Sequence, residues 1–499
     1  MIKIGWSTKD VSTNEPVGIT GQFHQRISKG CIDAITVTAL VVEREDTAII
    51  LSGDFVCISD GLLEEVKESV KAKKAEIPMD NIIFSATHTH TSPRYMRHLG
   101  FDNVPDSREI YPPEKYRAFL VDQVSDAIIE AYSTRSEGSF AYGYGTASVG
   151  VSRRSTYIDD FGARGNPKKT SLAPNGHAMM YGRTCDDMFA GYEGSTDSSV
   201  YFMFTFDKNE KLTGAVINVP CPSQCGEHES YLSADYWTFA RKLIREKYGN
   251  IHILPQCAAA GDLSPHILHA KDAQMRKYRL KYADDLEAKE IADSSYWPHE
   301  YYNKMDLGER VFHAFEETYP WASKEKIYDA PVIVKNEILP LDAWKITDEQ
   351  YESAKEEYAE YSAEGFVKTD DEAADYFKNT VQTSILGRYR RVIDRYESGA
   401  DKVNTLIHVV RIGDIAFASN PFELYIDYQH RIQGRSPFVQ TFIVQLAAEE
   451  MPRSMGYLCT ERAKANMGYS AIMYSCTISP EGGRQFVDST VDILKKLYD

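Results

Sequence analysis

Two periodicities of hydrophobic residues alternate along the first half of the chain. Short runs rich in Val, Ile and Phe, several of them apolar on both faces, are typical of strands covered on both sides. The predicted strands lie at 34–43, 47–54, 81–88, 200–206, 214–220 and 250–257. Between them, 62–76 and 112–132 carry helical periodicity, and the second begins with Pro113 at a favoured first-turn position. This alternation predicts an α/β fold.

The pattern changes after residue 265. Charged, Tyr-rich helical segments dominate 266–400, and the α/β pattern then resumes. These later segments are the helices 348–365 and 371–397, the strand-rich stretches 405–421 and 441–450, and an amphipathic helix at 484–498. We predict mixed β-sheets flanked by helices, with 1–265 and 401–499 forming one α/β catalytic domain and 266–400 a helical insertion or lid. Residues 155–198, rich in Gly, Asp and Ser, predict long loops that shape a site.

Composition narrows the class of protein. Of the 499 residues, 43% are hydrophobic and 26% charged, which is ample for a large core. The net charge of -17 argues against a nucleic-acid partner or an anionic membrane surface, since both reward basic patches. No apolar run approaches the roughly 18 residues that an integral membrane segment needs. The composition does not indicate an oligomeric state.

The opening residues and the cysteines indicate a compartment. The chain opens MIKIGWSTKDVS, which is typical of a strand and lacks the basic and apolar regions of a signal peptide. Eight cysteines lie scattered along the chain, several inside apolar runs, and do not resemble a disulfide framework. We therefore expect a reduced, cytoplasmic protein.

The first candidate for chemistry is a histidine pair in NIIFSATHTHTSPRY, residues 81–95. On an extended chain, His88 and His90 leave the same face, at the end of a predicted strand where α/β proteins bind ligands. The pair suits a metal, or one metal ligand and one proton-transfer group. The alternative is two partly buried histidines that bond backbone groups.

Motifs distributed along most of the chain then resemble one family in their common order. They are DVSTNEPVGITGQFHQRISKG (10–30), SATHTHTSP (85–93), GVSRR (150–154), CPSQCGEHESYLSAD (221–235), QCAAAGDLSPH (256–266), IGDIAFASNPFE (412–423) and GYLCTERAKANMGYSA (456–471). The chain resembles the catalytic N-terminal domain of the neutral/alkaline non-lysosomal ceramidases, zinc-dependent amidases that split N-acyl sphingosine. It looks like a bacterial-type member that lacks the C-terminal β-domain. The resemblance implies a layered, ceramidase-like α/β fold, with the segment 266–400 departing from the family near the mouth of the pocket.

The resemblance also implies a Zn²⁺ site. His88 would be the first ligand, Glu423 a carboxylate ligand, and Tyr457 would lie at or near the metal through its phenolic oxygen. Other interpretations remain for each residue alone. Glu423 suits the N-terminus of a helix, where an acid interacts favourably with the helix dipole. Tyr457 is one of 32 tyrosines, most of which serve packing.

The same resemblance implies the catalytic residues. His90 would be a catalytic residue or a neighbour of the metal ligands. Tyr469 and Arg153 would face the substrate carbonyl and its developing oxyanion. Arg153 and its neighbour Arg154 also suit ordinary surface cations, and we favour Arg153 as the inward-pointing residue.

One position departs from the family motif. The second zinc histidine of the family aligns with Cys221, which leaves three alternatives: Cys221 itself is the ligand, His228 in the same loop replaces it, or the metal site is lost. We favour His228 slightly, because catalytic zinc sites favour His and carboxylate ligands. A separate structural zinc at Cys221, Cys225 and His228 has no second cluster nearby to complete four ligands.

These residues predict a zinc-dependent hydrolase. Zinc-activated water would cleave the N-acyl amide of a small-molecule or lipid-like substrate, a carbon–nitrogen bond other than a peptide bond. Asp54 would orient a metal histidine or else cap a loop. Two other functions stay open: a zinc esterase or lactonase on the same fold, and a non-catalytic binding protein that has lost a metal ligand.

Overall fold

The computed structural model describes residues 1–59, 61–97, 100–164, 175–294, 298–448 and 455–499. The strands are β1 (Lys3–Asp10), β2 (Gly18–Ile19), β3 (Arg26–Ile27), β4 (Thr36–Glu43), β5 (Thr47–Gly53), β6 (Ile82–Ala86), β7 (Ser136–Thr146), β8 (Val151–Ser152), β9 (Arg154–Tyr157), β10 (Ala178–Met180), β11 (Phe189–Tyr192), β12 (Ser199–Asp207), β13 (Leu212–Val219), β14 (His252–Cys257), β15 (Leu263–Ser264), β16 (Val332–Asp342), β17 (Lys402–Ile412), β18 (Ile415–Ser419), β19 (Glu423–Leu424), β20 (Gln440–Val444) and β21 (Tyr457–Leu458). The helices are α1 (Leu62–Lys73), α2 (Pro113–Thr134), α3 (Tyr236–Tyr248), α4 (Lys271–Lys281), α5 (Leu286–Ser294), α6 (Pro298–Ala322), α7 (Asp348–Ala363), α8 (Glu372–Ser398), α9 (Ile426–Gln433), α10 (Glu461–Asn466) and α11 (Pro480–Tyr498).

Two mixed sheets form the centre of the described chain. Eight of the described strands make the larger sheet in the order β14-β13-β12-β7-β1-β4-β5-β6, and four make the smaller one, β16-β17-β18-β20. Both sheets are mostly antiparallel, with parallel pairs at β13/β14, β5/β6 and β18/β20. The carboxyl ends of β6, β13 and β18 are each followed by a loop that contributes residues to the candidate site.

The two sheets pack face to face, and helices cover their outer faces. Alternate residues of β4 face opposite ways: Leu40 and Val42 pack between the sheets, whereas Ala39 and Val41 pack under α1 and α2. Helices α3 and α6 cover the other half of the larger sheet, and α9 and α11 cover the smaller one. The result is a layered helix–sheet–sheet–helix arrangement, in which the strands β4, β5 and β6 bury both faces.

The predicted class of mixed β-sheets flanked by helices is confirmed. The six early predicted strands correspond to β4, β5, β6, β12, β13 and β14, and the later helices to α7, α8 and α11. Residues 165–174 of the predicted loop region and 449–450 of the predicted strand 441–450 lie outside the described residues. The remainder of 155–198 includes the short strands β9, β10 and β11.

The sequence pattern does not predict two of the long strands, β7 and β16. Strand β7 (SEGSFAYGYGT) is rich in glycine, which is unfavourable in strands, but helix α6 lies close against it. A Cβ on Gly143 would lie 2.4 Å from the Trp321 ring, and one on Gly145 would lie 2.7 Å from the Ala314 carbonyl oxygen. Strand β16 lies within 266–400 and pairs along its length with β17. The division of the chain at 266 and 400 stays a prediction.

Helix α8 connects the segment 266–400 to the rest of the chain. Tyr389, Val392 and Ile393 on one side of α8 pack with Met473 and Tyr474. Because Tyr474 follows Tyr469 in the same loop, this packing places α8 beside the candidate site. None of the helices that the structure describes is long and apolar enough to cross a membrane.

The packing between the sheets generates a stability prediction. Phe442 of β20 is fully buried and stacks on Phe417 with ring centroids 4.4 Å apart. We expect Phe442→Ala to lower the free energy of unfolding by about 3–5 kcal/mol, because it removes a large apolar side chain and leaves a cavity. Chemical denaturation followed by circular dichroism measures this change.

The matched control is Val439→Ala, which changes a side chain that is 70% exposed next to the same strand. This control should shift stability by no more than about 0.5 kcal/mol. Equal effects of the two substitutions would contradict the face-to-face packing of the sheets.

Candidate functional site

Four chain segments distant in sequence meet at one end of the two sheets. His88 follows β6, and Arg153 lies between β8 and β9. Glu423 and Tyr457 are direct partners in the short parallel pair of β19 and β21. This ladder places a carboxylate beside a phenol that lies 34 residues later in the chain, and the loop after β6 brings the histidines to them.

His88 is held in one orientation. Its backbone has φ +63°, which is uncommon for a residue with a side chain and costs energy that the surrounding structure must offset. The ring Nδ1 lies 2.6 Å from the Val56 carbonyl oxygen, so Nδ1 carries the proton and donates to that oxygen. The lone pair of Nε2 therefore faces the site. The extended geometry expected for the histidine pair was wrong, because the strand ends at Ala86 and the chain turns at His88.

Two polar groups lie within 3.5 Å of His88 Nε2. His88 Nε2 lies 3.5 Å from Glu423 Oε2 and 3.4 Å from His90 Nε2. Burial acts to raise the pKa of Glu423, but His88 and Arg153 outweigh it and lower that pKa, so the carboxylate is charged. A proton on His88 Nε2 stabilises the charged carboxylate, and when Nε2 carries a lone pair instead, a cation between the two groups would have the same effect.

Arg153 and two tyrosines form the second side of the site. The Arg153 Nη2 donates to the Gly261 carbonyl oxygen at 3.0 Å and to Tyr457 Oη at 3.4 Å, and lies 3.9 Å from Glu423 Oε2. The Tyr469 hydroxyl donates to Tyr457 Oη at 3.4 Å. Burial raises the pKa of both phenols, so they stay protonated and can donate hydrogen bonds.

His90 is backed by Glu227. The His90 Nδ1 lies 3.6 Å from Glu227 Oε2. Burial lowers the pKa of His90, and its Nε2 is the ring nitrogen that lies 3.4 Å from His88 Nε2. Although burial acts to raise the pKa of Glu227, His90, His266 and Arg153 lower it to about 2. A charged carboxylate thus lies behind the imidazole and would stabilise its protonated form.

Gly21 permits the close approach to His90. It has φ +103°, and a Cβ there would lie 2.5 Å from the His90 ring carbon Cγ. Any larger residue would push this imidazole away from His88. Gly21 belongs to the first motif quoted from the sequence, residues 10–30.

Cys221 and His228 are the two candidates for the second protein ligand of the metal, and each has different surroundings. Cys221 is fully buried in the core under α3, where its thiol donates to the Pro222 carbonyl oxygen at 3.4 Å. Burial raises its pKa well above the usual value, whereas zinc binding needs the thiolate. His228 has a side chain that is 55% exposed, and its Nδ1 lies 2.6 Å from Glu300 Oε1. Among the described residues, neither side chain lines the pocket that His88, Glu423 and Tyr457 line.

Asp54 does not orient a histidine. Its carboxylate binds both terminal nitrogens of Arg241, at 2.8 and 3.0 Å, and accepts hydrogen bonds from Thr36 and Thr87. This network holds the loop that precedes His88, which is the loop-capping interpretation. The group that orients the His88 ring is the Val56 carbonyl instead.

The donor set fits a divalent cation in part. In a tetrahedral site with bonds of about 2.0–2.2 Å, two ligand atoms lie about 3.3–3.6 Å apart. The 3.5 Å from His88 Nε2 to Glu423 Oε2 matches this separation. Among the described residues, however, no group of three or more His, Cys, Asp and Glu side chains qualifies as a metal cluster. Tyr457, a phenol, would be a further oxygen donor beside Glu423.

The comparisons with known proteins concern the fold. No protein-family model and no curated protein sequence matches the chain. The neutral ceramidase from Pseudomonas aeruginosa superposes with a TM-score of 0.67 at 17% identity, over 99% of this chain and 74% of that one. A ceramidase complexed with C2 superposes with a TM-score of 0.64 at 15% identity, over 100% and 75% of the two chains. The fold is ceramidase-like.

Residues of the GDLSP and SRR motifs support the site from its surroundings. Gly261 lies against β19, where a Cβ would be 2.3 Å from the Glu423 carbonyl oxygen. Asp262 accepts a hydrogen bond at 2.8 Å from the first backbone N–H of α9, Ile426. Arg154 binds the carboxylate of Glu193 and donates to the Tyr469 carbonyl oxygen at 2.6 Å. These residues position the site without facing it.

Several site residues escaped the sequence reading. Glu227 lies in the quoted segment 221–235, but nothing there distinguishes it from the chain's other acids. Gln224 accepts from Arg153 Nη1 at 3.5 Å and also binds the Tyr181 hydroxyl. Only the folded structure identifies these residues, because the loop that follows β13 brings them to the site.

Asp262 generates a pH prediction. Burial raises the pKa of Asp262 from its ordinary 3.8 to about 7. Between about pH 4 and pH 7 the folded protein holds a proton that the unfolded chain has lost, so this group's contribution to stability falls as pH rises. Asn at this position stays neutral and keeps the acceptor for the α9 N–H. We expect Asp262→Asn to gain stability relative to the original protein at pH 8 compared with pH 5.

Thermal unfolding of both proteins at the two pH values measures this difference. A stability difference that does not change with pH would contradict a buried, proton-holding Asp262.

Proposed function

We propose that the protein is a zinc-dependent hydrolase that cleaves the N-acyl amide of a small or amphiphilic substrate. The observation that carries the proposal is the His88 ring, whose Nδ1 donates to Val56 and whose Nε2 lone pair faces Glu423 at 3.5 Å. This is how a metal-binding histidine is held by its second ring nitrogen. The ceramidase-like fold supports an amide as the bond that is cleaved.

His88, Glu423 and Tyr457 are the residues that would hold the ion. When bound, zinc supplies Lewis acidity, which polarises a carbonyl and lowers the pKa of water to near 7. The remaining chemistry belongs to the protein. Arg153 and Tyr469 would donate hydrogen bonds to the carbonyl oxygen as negative charge develops on it.

His90 is suited to move the proton. Its neutral Nε2 would accept a proton from the attacking water, and Glu227 would stabilise the resulting imidazolium. The same nitrogen would then deliver the proton to the leaving amine. Closure of the site by buried side chains strengthens each of these interactions, because little water competes for them.

The first test concerns the metal. We expect protein purified without chelator to hold about one zinc per chain, and His88→Ala to lose both zinc and amide hydrolysis, because it removes a ligand. Elemental analysis by mass spectrometry and a panel of matched N-acyl amides and esters measure the two properties. His228→Ala is the control and should keep zinc and activity within about twofold, since His228 faces Glu300.

Each outcome selects a function. Faster cleavage of esters than of matched amides would replace the amidase with an esterase. Native protein without zinc, and without activity after zinc is added, would favour the non-catalytic binding protein. Loss of zinc in His228→Ala would restore His228 as a ligand.

The second test separates proton transfer from metal binding. We expect His90→Gln to retain zinc and to lower kcat by about 10²–10⁴-fold, the usual contribution of a general acid–base residue. Zinc analysis of the variant accompanies the kinetics. If His90→Gln loses zinc, His90 is a metal ligand and its proposed role is wrong.

A further inference from the structure

The candidate site opens into a pocket of about 350 Å³. His88, Glu423 and Tyr457 are among the residues that line it. Apolar side chains line much of the rest, namely Phe23, Met96, Phe101, Leu446 and Met455. An acyl chain would find apolar contacts here next to the reacting groups.

One wall of the pocket is a stripe of arginines on helix α8. Arg388, Arg391 and Arg395 all line the pocket, and their spacing of three and four residues puts them on one face of the helix. Thr383, Ser384 and Gly387 of α8 line the same wall.

Arg388 lies nearest the reacting groups. Its guanidinium carbon is 3.9 Å from the centroid of the Phe23 ring and 5.3 Å from that of Tyr469. The Tyr469 hydroxyl in turn contacts Tyr457. The aromatic rings hold the guanidinium through cation–π contacts, which leave its N–H groups available to a ligand. Within the described ranges, no carboxylate lies within ion-pair distance of Arg388.

Arg395 adds positive charge deeper in the same wall. It donates to the Met473 carbonyl oxygen at 2.8 Å and to that of Trp344 at 3.3 Å. Carbonyls satisfy its N–H groups but do not neutralise its charge. Burial lowers the pKa of Arg395 to about 10, which still leaves it protonated at neutral pH.

The described pocket lining therefore carries more positive than negative charge. Its one carboxylate among the residues placed by the structure is Glu423, which already faces His88 and Arg153. The net charge of the whole chain is -17, so this local sign is opposite to that of the protein. A cleft of this kind concentrates anions and disfavours cationic ligands.

We propose that the amide substrate carries an anionic group, a carboxylate, phosphonate or sulfonate type of anion, and that Arg388 binds it. This inference rests on the proposed function and names its substrate class. The substrate would be an N-acylated amino acid, or the N-acyl derivative of another amine that carries an acidic group. The acyl chain occupies the apolar lining, and the anion lies beyond Tyr469 against α8. Guanidinium binds such planar or tetrahedral oxyanions through two N–H groups.

The test compares four amides with the same acyl chain: N-octanoylglycine, N-octanoyl aminomethylphosphonate, N-octanoyl taurine and the neutral N-octanoyl ethanolamine. We expect the zinc-loaded protein to prefer at least one anionic amide over the neutral one. Arg388→Gln should lower kcat/KM for that substrate by about 10- to 100-fold, as loss of a charged hydrogen bond does, and leave the neutral amide within about twofold. Arg388→Lys should restore part of the preference.

Arg390→Gln is the matched control. It changes an exposed arginine of the same helix that pairs with Asp394 at 2.8 Å and does not line the pocket. All four amides should be hydrolysed as by the original protein. Equal losses on charged and neutral amides in Arg388→Gln would overturn the inference, because Arg388 would then only support Tyr469. Faster hydrolysis of the neutral amide by the original protein would overturn it as well.

A binding measurement separates this inference from the proposed function. If none of the four amides is hydrolysed, the proposed amidase fails, but calorimetry still compares N-octanoylglycine with N-octanoyl ethanolamine. Tighter binding of the acid to the original protein, lost in Arg388→Gln and kept in Arg390→Gln, supports an anion site on α8. Equal affinity for the acid and the neutral amide excludes it.

Discussion

The hydrogen bond from His88 Nδ1 to the Val56 carbonyl oxygen is the constraint on which the site depends. It assigns the proton to one ring nitrogen and leaves the lone pair of the other facing Glu423 and His90. That arrangement is unfavourable by itself, since lone pairs and a carboxylate converge. A cation among them would relieve this repulsion, which supports the proposed metal.

The surrounding structure offsets the free-energy cost of placing His88 and Glu423 close together, because it holds both residues in fixed positions. His88 has a left-handed backbone, and Asp54 and Arg241 hold the loop before it by a buried ion pair. Glu423 is held on the opposite side by its pairing with Tyr457 and by the close approach of Gly261. Strain and buried charge are maintained only where neighbouring contacts determine the position, as they do here.

The pocket joins two parts of the chain with different character. Part of the lining comes from loops of the two sheets, and one wall comes from α8, within the segment 266–400. A ceramidase-like scaffold with an arginine-lined wall suits an acidic amphiphile better than a neutral one. Function on a shared fold is set by such local chemistry rather than by the layers that support it.

The sequence by itself determined the fold class and most of the long elements, because strand and helix periodicities are local properties of the chain. The glycine-rich β7 and the isolated β16 escaped it, since their stability comes from packing against α6 and pairing with β17. For the site, the ordered motifs indicated His88, His90, Arg153, Glu423, Tyr457 and Tyr469, which the structure brings together. Only the tertiary structure decided that Cys221 is buried under α3, that His228 faces Glu300, that Glu227 lies behind His90, and that Arg388 lines the pocket. These contacts form between residues that are distant in sequence. The spacing of residues along the chain therefore does not predict them.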